Sequence, residues 1–229
     1  MTINIYWSDL GSNYFMDPYP VLSYLKNRKV LKTDDLNKCP SFISYYKNTY
    51  AIKAGIDYSI EWDGKSLHSD RYGQWFFDRY ILPRNADDGL ISLAYPPVIF
   101  IADKSMVLEQ LNPSLSNSNF SNNTKIIQGA YNCHKHIRPL ETPFMFNEKG
   151  KVNINENDDL YYVRFLTDEK IKFHRFVWDK SIYNLIPDYQ FNKAHTSKVK
   201  SLEWWYNINN KLRTTNKIIK YIKKMDLLQ

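Results

Sequence analysis

Hydrophobic and polar positions alternate with a two-residue period along much of the chain, which is typical of half-buried β-strands. The clearest case is 58–62, where Tyr58, Ile60 and Trp62 alternate with polar residues before an Asp-Gly turn at 63–64. Similar segments predict further strands at 41–54, 74–82, 90–94, 97–102, 124–131, 143–147, 151–155, 160–166 and 170–178. Strands this short and this numerous indicate a mainly β protein.

Turn-forming residues separate these segments, and no long helical pattern lies between them, so the strands are expected to pair antiparallel. We therefore predict an antiparallel β-sandwich of jelly-roll type. Residues 1–36 are predicted as a turn-rich N-terminal segment, 37–192 as the sandwich and 193–229 as a basic helical appendage. The Asn- and Ser-rich stretch 112–123 is predicted to be an exposed loop.

From residue 195 onward the apolar positions recur at three- and four-residue steps, which indicates amphipathic helices. A first helix would carry Leu202, Trp205, Ile208 and Leu212 on its apolar side. A second would carry Ile218, Ile219, Ile222 and Met225 on one face and Lys217, Lys220, Lys223 and Lys224 on the other. A C-terminal pair of amphipathic helices is therefore expected.

The high aromatic content supports the prediction of a mainly β protein, and the distribution of charge distinguishes residues 193–229 from the rest of the chain. Aromatic residues make up 16% of the chain, with 18 Tyr and 12 Phe, and such residues favour pleated surfaces. The net charge is +7, and all of it lies in residues 193–229, which hold nine basic and two acidic residues. The candidate interaction residues are Lys211, Arg213, Lys217, Lys220, Lys223 and Lys224.

These cations suit an acidic protein face, an anionic membrane surface or nucleic-acid phosphate, and self-association is a further way to use the appendage. Lysines outnumber arginines here, and base-specific readout tends to use Arg, so a nucleic acid would be held through its phosphates. In the alternative interpretation the helix packs on the sandwich and its lysines are simply solvated.

One short motif raises the question of catalysis. His68 and Asp70 are two residues apart, so on a strand both side chains face the same side and could begin an Fe(II) site of the kind found in 2-oxoglutarate-dependent oxygenases. The third ligand would be His134, His136 or His174, and the arginine that binds the oxo-acid would be Arg138, Arg164 or Arg175. Surface histidines are the ordinary alternative.

Other function classes have less support. The chain has no nucleophile elbow, no Gly-rich phosphate loop and no HExxH motif. The many aromatic rings raise saccharide binding, although core packing accounts for most of them. Cys39 and Cys133 lie far apart and are expected to be reduced thiols. Without a signal peptide or a transmembrane segment in the sequence, the expectation is a soluble protein in the cytoplasm of a host cell, with the virion as the other location.

Several stretches resemble a family of uncharacterised proteins from tailed phages of marine bacteria. The resemblance rests on residues 39–64, "LISLAYPPVIFIAD" at 90–103, "RPLETPF" at 138–144 and residues 158–176, and it covers roughly 39–178. It implies a jelly-roll-like sandwich and a phage source, with no activity to carry over. The preferred hypothesis is a phage-encoded, non-catalytic structural or interaction protein, and the alternative is the Fe(II)- and 2-oxoglutarate-dependent oxygenase.

Overall fold

The computed structural model describes residues 1–9, 17–27, 38–69, 73–185, 204, 207 and 210–226. The strands are β1 (Thr2–Ser8), β2 (Tyr19–Pro20), β3 (Thr49–Lys53), β4 (Tyr58–Trp62), β5 (Leu67–His68), β6 (Ile81–Asn85), β7 (Leu90–Ala102), β8 (Val107–Leu111), β9 (Thr124–Ile126), β10 (Gly129–Asn132), β11 (Pro139–Phe146), β12 (Gly150–Ile154), β13 (Asp159–Phe165) and β14 (Lys170–Arg175). The helices are α1 (Val21–Asn27), α2 (Pro40–Tyr46), α3 (Gly73–Tyr80), α4 (Asn119–Asn123), α5 (Lys180–Leu185) and α6 (Thr214–Asp226).

The strands form three sheets. A six-stranded sheet has the order β14-β1-β7-β11-β9 with β6 also paired to β7, a five-stranded sheet has the order β10-β8-β13-β3-β2, and a three-stranded sheet has the order β12-β4-β5. Their ladders are antiparallel except that between β1 and β14, which is parallel and has most of the chain as its connection. The predicted mainly β, sandwich-like fold is confirmed, whereas the jelly-roll strand order stays a prediction.

The main hydrophobic core is shared by the three sheets. It contains Ile3, Ile5 and Trp7 of β1, Val98, Phe100 and Ala102 of β7, Tyr58, Ile60 and Trp62 of β4, and Tyr161, Val163 and Phe165 of β13. Each set repeats every second residue, because successive side chains of a strand point to opposite faces of the sheet. The alternation predicted for 58–62 and the turn after it are thus confirmed, with Gly64 in the left-handed region at a φ of 103°.

A second apolar cluster covers the outer face of the six-stranded sheet. Tyr6, Ile99 and Ile101 pack there against Ile182 of α5 and Ile218, Ile219 and Ile222 of α6. Strand β7 is therefore buried on both faces, which explains why 97–102 is a continuous apolar run rather than an alternation. The first helix of the predicted pair lies mostly outside the described residues, so the pair stays a prediction.

The described N-terminal residues belong to the fold: where the sequence predicted a turn-rich segment, the structure has the strands β1 and β2 and the helix α1. β1 pairs with both β7 and β14, and α1 is held to the five-stranded sheet by Asp159, whose side chain is 3% exposed. The Asp159 carboxylate accepts hydrogen bonds from Tyr24 Oη at 2.7 Å and from Lys53 Nζ at 3.0 Å. The predicted domain boundaries, after residues 36 and 192, fall outside the described ranges and stay predictions.

Two predicted strands are partly wrong: residues 41–46 of the predicted strand 41–54 form α2, and residues 74–80 of the predicted strand 74–82 form α3. Pro40 stands at the start of α2, where its fixed φ and missing N–H suit the first helical turn. In α3, Phe76 and Tyr80 are four residues apart and their ring centroids lie 5.1 Å apart, so the two rings share one helix face. Aromatic content favoured strands here, and spacing favoured helices.

The stretch 112–123 is not simply an exposed loop, because it ends in α4. Ser118 caps this helix by accepting a hydrogen bond from the Ser121 N–H at 3.1 Å. Phe120 is fully buried and packs edge-on against Phe144, with ring centroids 5.2 Å apart. The predicted strand at 124–131 is in fact two strands, β9 and β10, in different sheets, and the segments 90–94 and 97–102 form one strand.

Both cysteines are free thiols, as the sequence predicted, with Cys39 half-buried and Cys133 buried in the main core. Burial raises the pKa of the Cys133 thiol to about 12, since a thiolate would lose its hydration there. Within the described part of the chain, the helices are all too short or too polar to cross a membrane.

Candidate functional site

The His68 side chain lies at the edge of the three-stranded sheet and is 63% exposed. Its Nε2 is 3.7 Å from Asp63 Oδ2. The other oxygen of Asp63 accepts backbone N–H groups of Ser66 and Lys65 at 2.7 and 2.8 Å, and these bonds lower the Asp63 pKa by stabilising its charge. His68 and Asp63 thus lie together at a surface turn, which the Asp63 carboxylate closes through its backbone contacts. Asp70, the other residue of the predicted metal motif, lies outside the described residues.

The three candidate third ligands have separate surroundings. His134 Nδ1 is 2.9 Å from the carbonyl oxygen of Ala102, and His174 Nε2 is 2.9 Å from Asn4 Oδ1. The pKa of His136 is lowered by burial first, and then by the positive charges of Arg138 and Lys135. Among the residues that the structure describes, no three His, Cys, Asp or Glu side chains are grouped to hold a metal ion. The Fe(II) hypothesis therefore stays a prediction.

Two of the three candidate arginines already bind carboxylates. Arg164 Nε donates to Glu109 Oε2 at 2.8 Å, and Arg175 Nη2 donates to Asp9 Oδ2 at 3.2 Å. Arg138 is different, since its guanidinium lies 5.4 Å from the Tyr131 ring centroid and its Nε is buried with no hydrogen-bond partner in the described structure. An oxo-acid would have to compete with Glu109 and Asp9 for the first two, whereas Arg138 has no carboxylate partner among the described residues.

The sequence-predicted interaction residues lie together on the exposed side of α6 and just before it. Lys217, Lys220, Lys223 and Lys224 are all exposed, whereas Ile218, Ile219 and Ile222 are buried, as the sequence predicted for these two faces. Lys211 and Arg213 are exposed at the approach to the helix. We call these six cations the basic face.

Polar contacts fix α6 near its start and at its middle. Thr215 Oγ1 donates to the carbonyl oxygen of His134, and Tyr221 Oη donates to Asp179 Oδ2 at 3.0 Å. The turn that carries His134 also carries the exposed Lys135, which adds a positive charge near the start of the helix. In the described structure, none of the six cations of the basic face forms an ion pair. The helix that carries most of the basic face is thus held on the sheet, and the cations have no ion-pair partner among the described residues.

One concave site was missed by sequence reasoning. It lies between α2 and the turn that joins β13 to β14, and it brings together residues 44–47 and 164–168. The sequence contained a weak signal, since Tyr45 and Arg164 are residue types that line binding sites. Their proximity could not be inferred, because 41–54 was interpreted as one strand and the two segments are about 120 residues apart in the chain.

Comparison with known proteins leaves the chain without a matched relative. No family model, no curated protein and no solved structure matches it. Among the described residues, the basic face and the concave site offer a chemical basis for a function.

Proposed function

We propose that this protein is a phage-encoded, non-catalytic interaction protein that uses its β-sandwich as a scaffold and the basic face as its contact surface for a polyanionic partner. The observation that carries the proposal is that α6 has one buried apolar face and one exposed basic face. Its isoleucines are buried on the six-stranded sheet, and its lysines have no part in that packing. The cations are therefore available to a partner without any cost to the fold.

The spacing of the cations suits a partner with repeated negative charges. Lys217 and Lys224 are seven residues apart on the helix, which corresponds to about 10 Å at a rise of ~1.5 Å per residue. Each exposed lysine interacts weakly through water, so a single carboxylate would gain little. Several phosphates or carboxylates in a row would gain from every lysine at once and would release bound counterions.

A phosphate backbone fits this chemistry well. Lysine ammonium groups act as point charges and do not read base edges, so the contact is expected to be independent of nucleic-acid sequence and sensitive to salt. The same face would serve an acidic protein surface in a virion or in the host cytoplasm, and self-association through it is disfavoured because like charges would meet.

The test is binding of a fluorescent DNA duplex, measured by anisotropy over a range of NaCl concentrations. One variant replaces Lys217, Lys220, Lys223 and Lys224 by Gln. The matched control replaces Lys65, Lys125, Lys170 and Lys172 by Gln, which are exposed on the sandwich and make the same change in net charge. With about 0.9 units of salt slope for each phosphate contact, the helix variant should lose ~3 to 4 units of slope and most of its affinity.

The control variant should retain most of the affinity of the natural sequence. If both variants lose affinity equally, only net charge matters and the basic face is not a site. If the natural protein binds neither the duplex nor an acidic polypeptide such as polyglutamate at low salt, the proposal is wrong.

A further inference from the structure

The concave site between α2 and the turn after β13 has a volume of about 420 Å³. Ligand sites in proteins are commonly about 300–1,000 Å³, so this groove has the size of a small-molecule subsite. Its principal lining residues are Tyr45, Lys47, Arg164, Leu166, Thr167 and Asp168. None of them belongs to the basic face, and the groove lies on a different element from α6.

The charges in the groove are internally balanced. Lys47 Nζ lies 3.0 Å from Asp168 Oδ1, and Arg164 Nε donates to Glu109 Oε2 at 2.8 Å. An ionic ligand would be attracted by one member of each pair and repelled by the other, so the balance favours a neutral ligand. A neutral ligand rich in hydroxyl groups can use both members, since a hydroxyl can accept from the ammonium group and donate to the carboxylate at the same time.

Tyr45 adds an apolar surface to this polar groove. Half of its side chain is exposed, and the guanidinium carbon of Arg164 lies 4.4 Å from the ring centroid. Arg164 Nη1 also donates to the Tyr45 carbonyl oxygen at 3.4 Å, so the arginine braces both the ring and its backbone. Leu166, which is 49% exposed, extends the apolar surface. An aromatic ring held in this way offers a rigid contact for aliphatic C–H groups.

The turn after β13, which contributes residues 166–168 to the groove, is also held in place by hydrogen bonds within the protein. Asn48 has a φ of 54°, in the left-handed region that asparagine tolerates better than most residues. This conformation lets its Nδ2 donate to the carbonyl oxygens of Thr167 and Glu169 at 2.8 and 3.0 Å. The turn is thereby tied to the start of β3. A preformed site loses little conformational entropy on binding.

We propose that this groove binds a neutral saccharide. A pyranose ring has an apolar C–H face, which matches Tyr45 and Leu166, and a rim of hydroxyl groups, which matches Lys47, Asp168 and the remaining donors of Arg164. The groove is open on one side, so it suits a terminal or exposed sugar of a glycan. This activity is independent of the basic face, and its binding should be insensitive to salt.

The experiment is saturation-transfer difference NMR on the full chain with the methyl glycosides of glucose, galactose, mannose and N-acetylglucosamine. We expect at least one glycoside to receive saturation at its ring C–H protons, with a dissociation constant on the order of 1 mM. Tyr45→Ala should weaken that binding at least about tenfold, as expected when a central aromatic contact is lost. Tyr45→Phe, which keeps the ring, should retain it.

Trp75→Ala is the matched control, because Trp75 is an aromatic residue on α3 that is 63% exposed and lies outside the groove. It should leave binding unchanged. Asp168→Asn tests the polar half of the site. The Asp168 side chain is 99% exposed, so the substitution should leave the fold intact. We expect it to weaken glycoside binding several-fold. The proposal is overturned if none of the four glycosides receives saturation, or if Tyr45→Ala and Trp75→Ala have equal effects.

Discussion

The packing of α6 on the six-stranded sheet makes a quantitative prediction for Ile218→Ala. Ile218 is fully buried in the cluster that contains Tyr6, Ile99 and Ile101. The substitution removes three carbon atoms, which at about 0.8 kcal/mol each gives ~2.4 kcal/mol of lost transfer free energy. The cavity left behind adds to this, so we expect the free energy of unfolding to fall by about 3 kcal/mol, within the usual ~2–5 kcal/mol for such truncations.

Urea unfolding followed by tryptophan fluorescence measures this loss, since Trp7 is buried in the main core and reports the global transition. The midpoint should fall while the slope m stays the same, because the truncation removes little of the surface exposed on unfolding. Ile127→Ala is the control, since Ile127 is 40% exposed, and it should change the free energy by no more than about 0.5 kcal/mol. An Ile218→Ala effect as small as that of the control would refute the docking of α6 and with it the position of the basic face on the sheet.

Two further predictions concern the thiols and the histidine motif. In the native protein Cys39 should react with Ellman's reagent while Cys133, whose pKa burial raises to about 12, should react only after unfolding; rapid reaction of both thiols would contradict the buried position of Cys133. His68→Ala should leave Fe(II) uptake in anaerobic titrations unchanged, because His68 is 63% exposed and its nearest described carboxylate is that of Asp63 in the same turn; stoichiometric Fe(II) binding that the substitution abolishes would instead favour the oxygenase hypothesis.

Elements that complete the scaffold also carry the surfaces that we propose to be functional. Helix α6 covers a sheet face that would otherwise expose Tyr6, Ile99 and Ile101, so the same helix completes the fold and presents the basic face. The groove likewise uses Arg164, a residue of a core strand, as a brace for Tyr45. Contacts of this kind place binding residues on rigid elements, where they keep their geometry in the absence of a partner.

Local patterns were sufficient for some elements. The alternation at 58–62 and the Asp-Gly turn after it could be predicted, because the side-chain period of a strand and the left-handed φ of a turn glycine depend only on neighbouring residues. The two faces of α6 could be predicted for the same reason, since residues three and four apart share a side of a helix. The concentration of positive charge near the C-terminus could be predicted by counting charged residues along the sequence.

Other features depended on tertiary structure. The aromatic segments at 40–46 and 73–80 carry strand-like composition, and the burial of Tyr46 and Phe76 on one side of each segment selects a helix. The parallel pairing of β1 with β14 joins residues about 170 apart, and the groove joins Tyr45 to Arg164 across 119 positions. No local period encodes such distances, because they follow from how segments far apart in the chain pair and pack. The sequence alone thus determined a mainly β chain with a basic amphipathic helix, and the tertiary structure decided which of its polar residues meet.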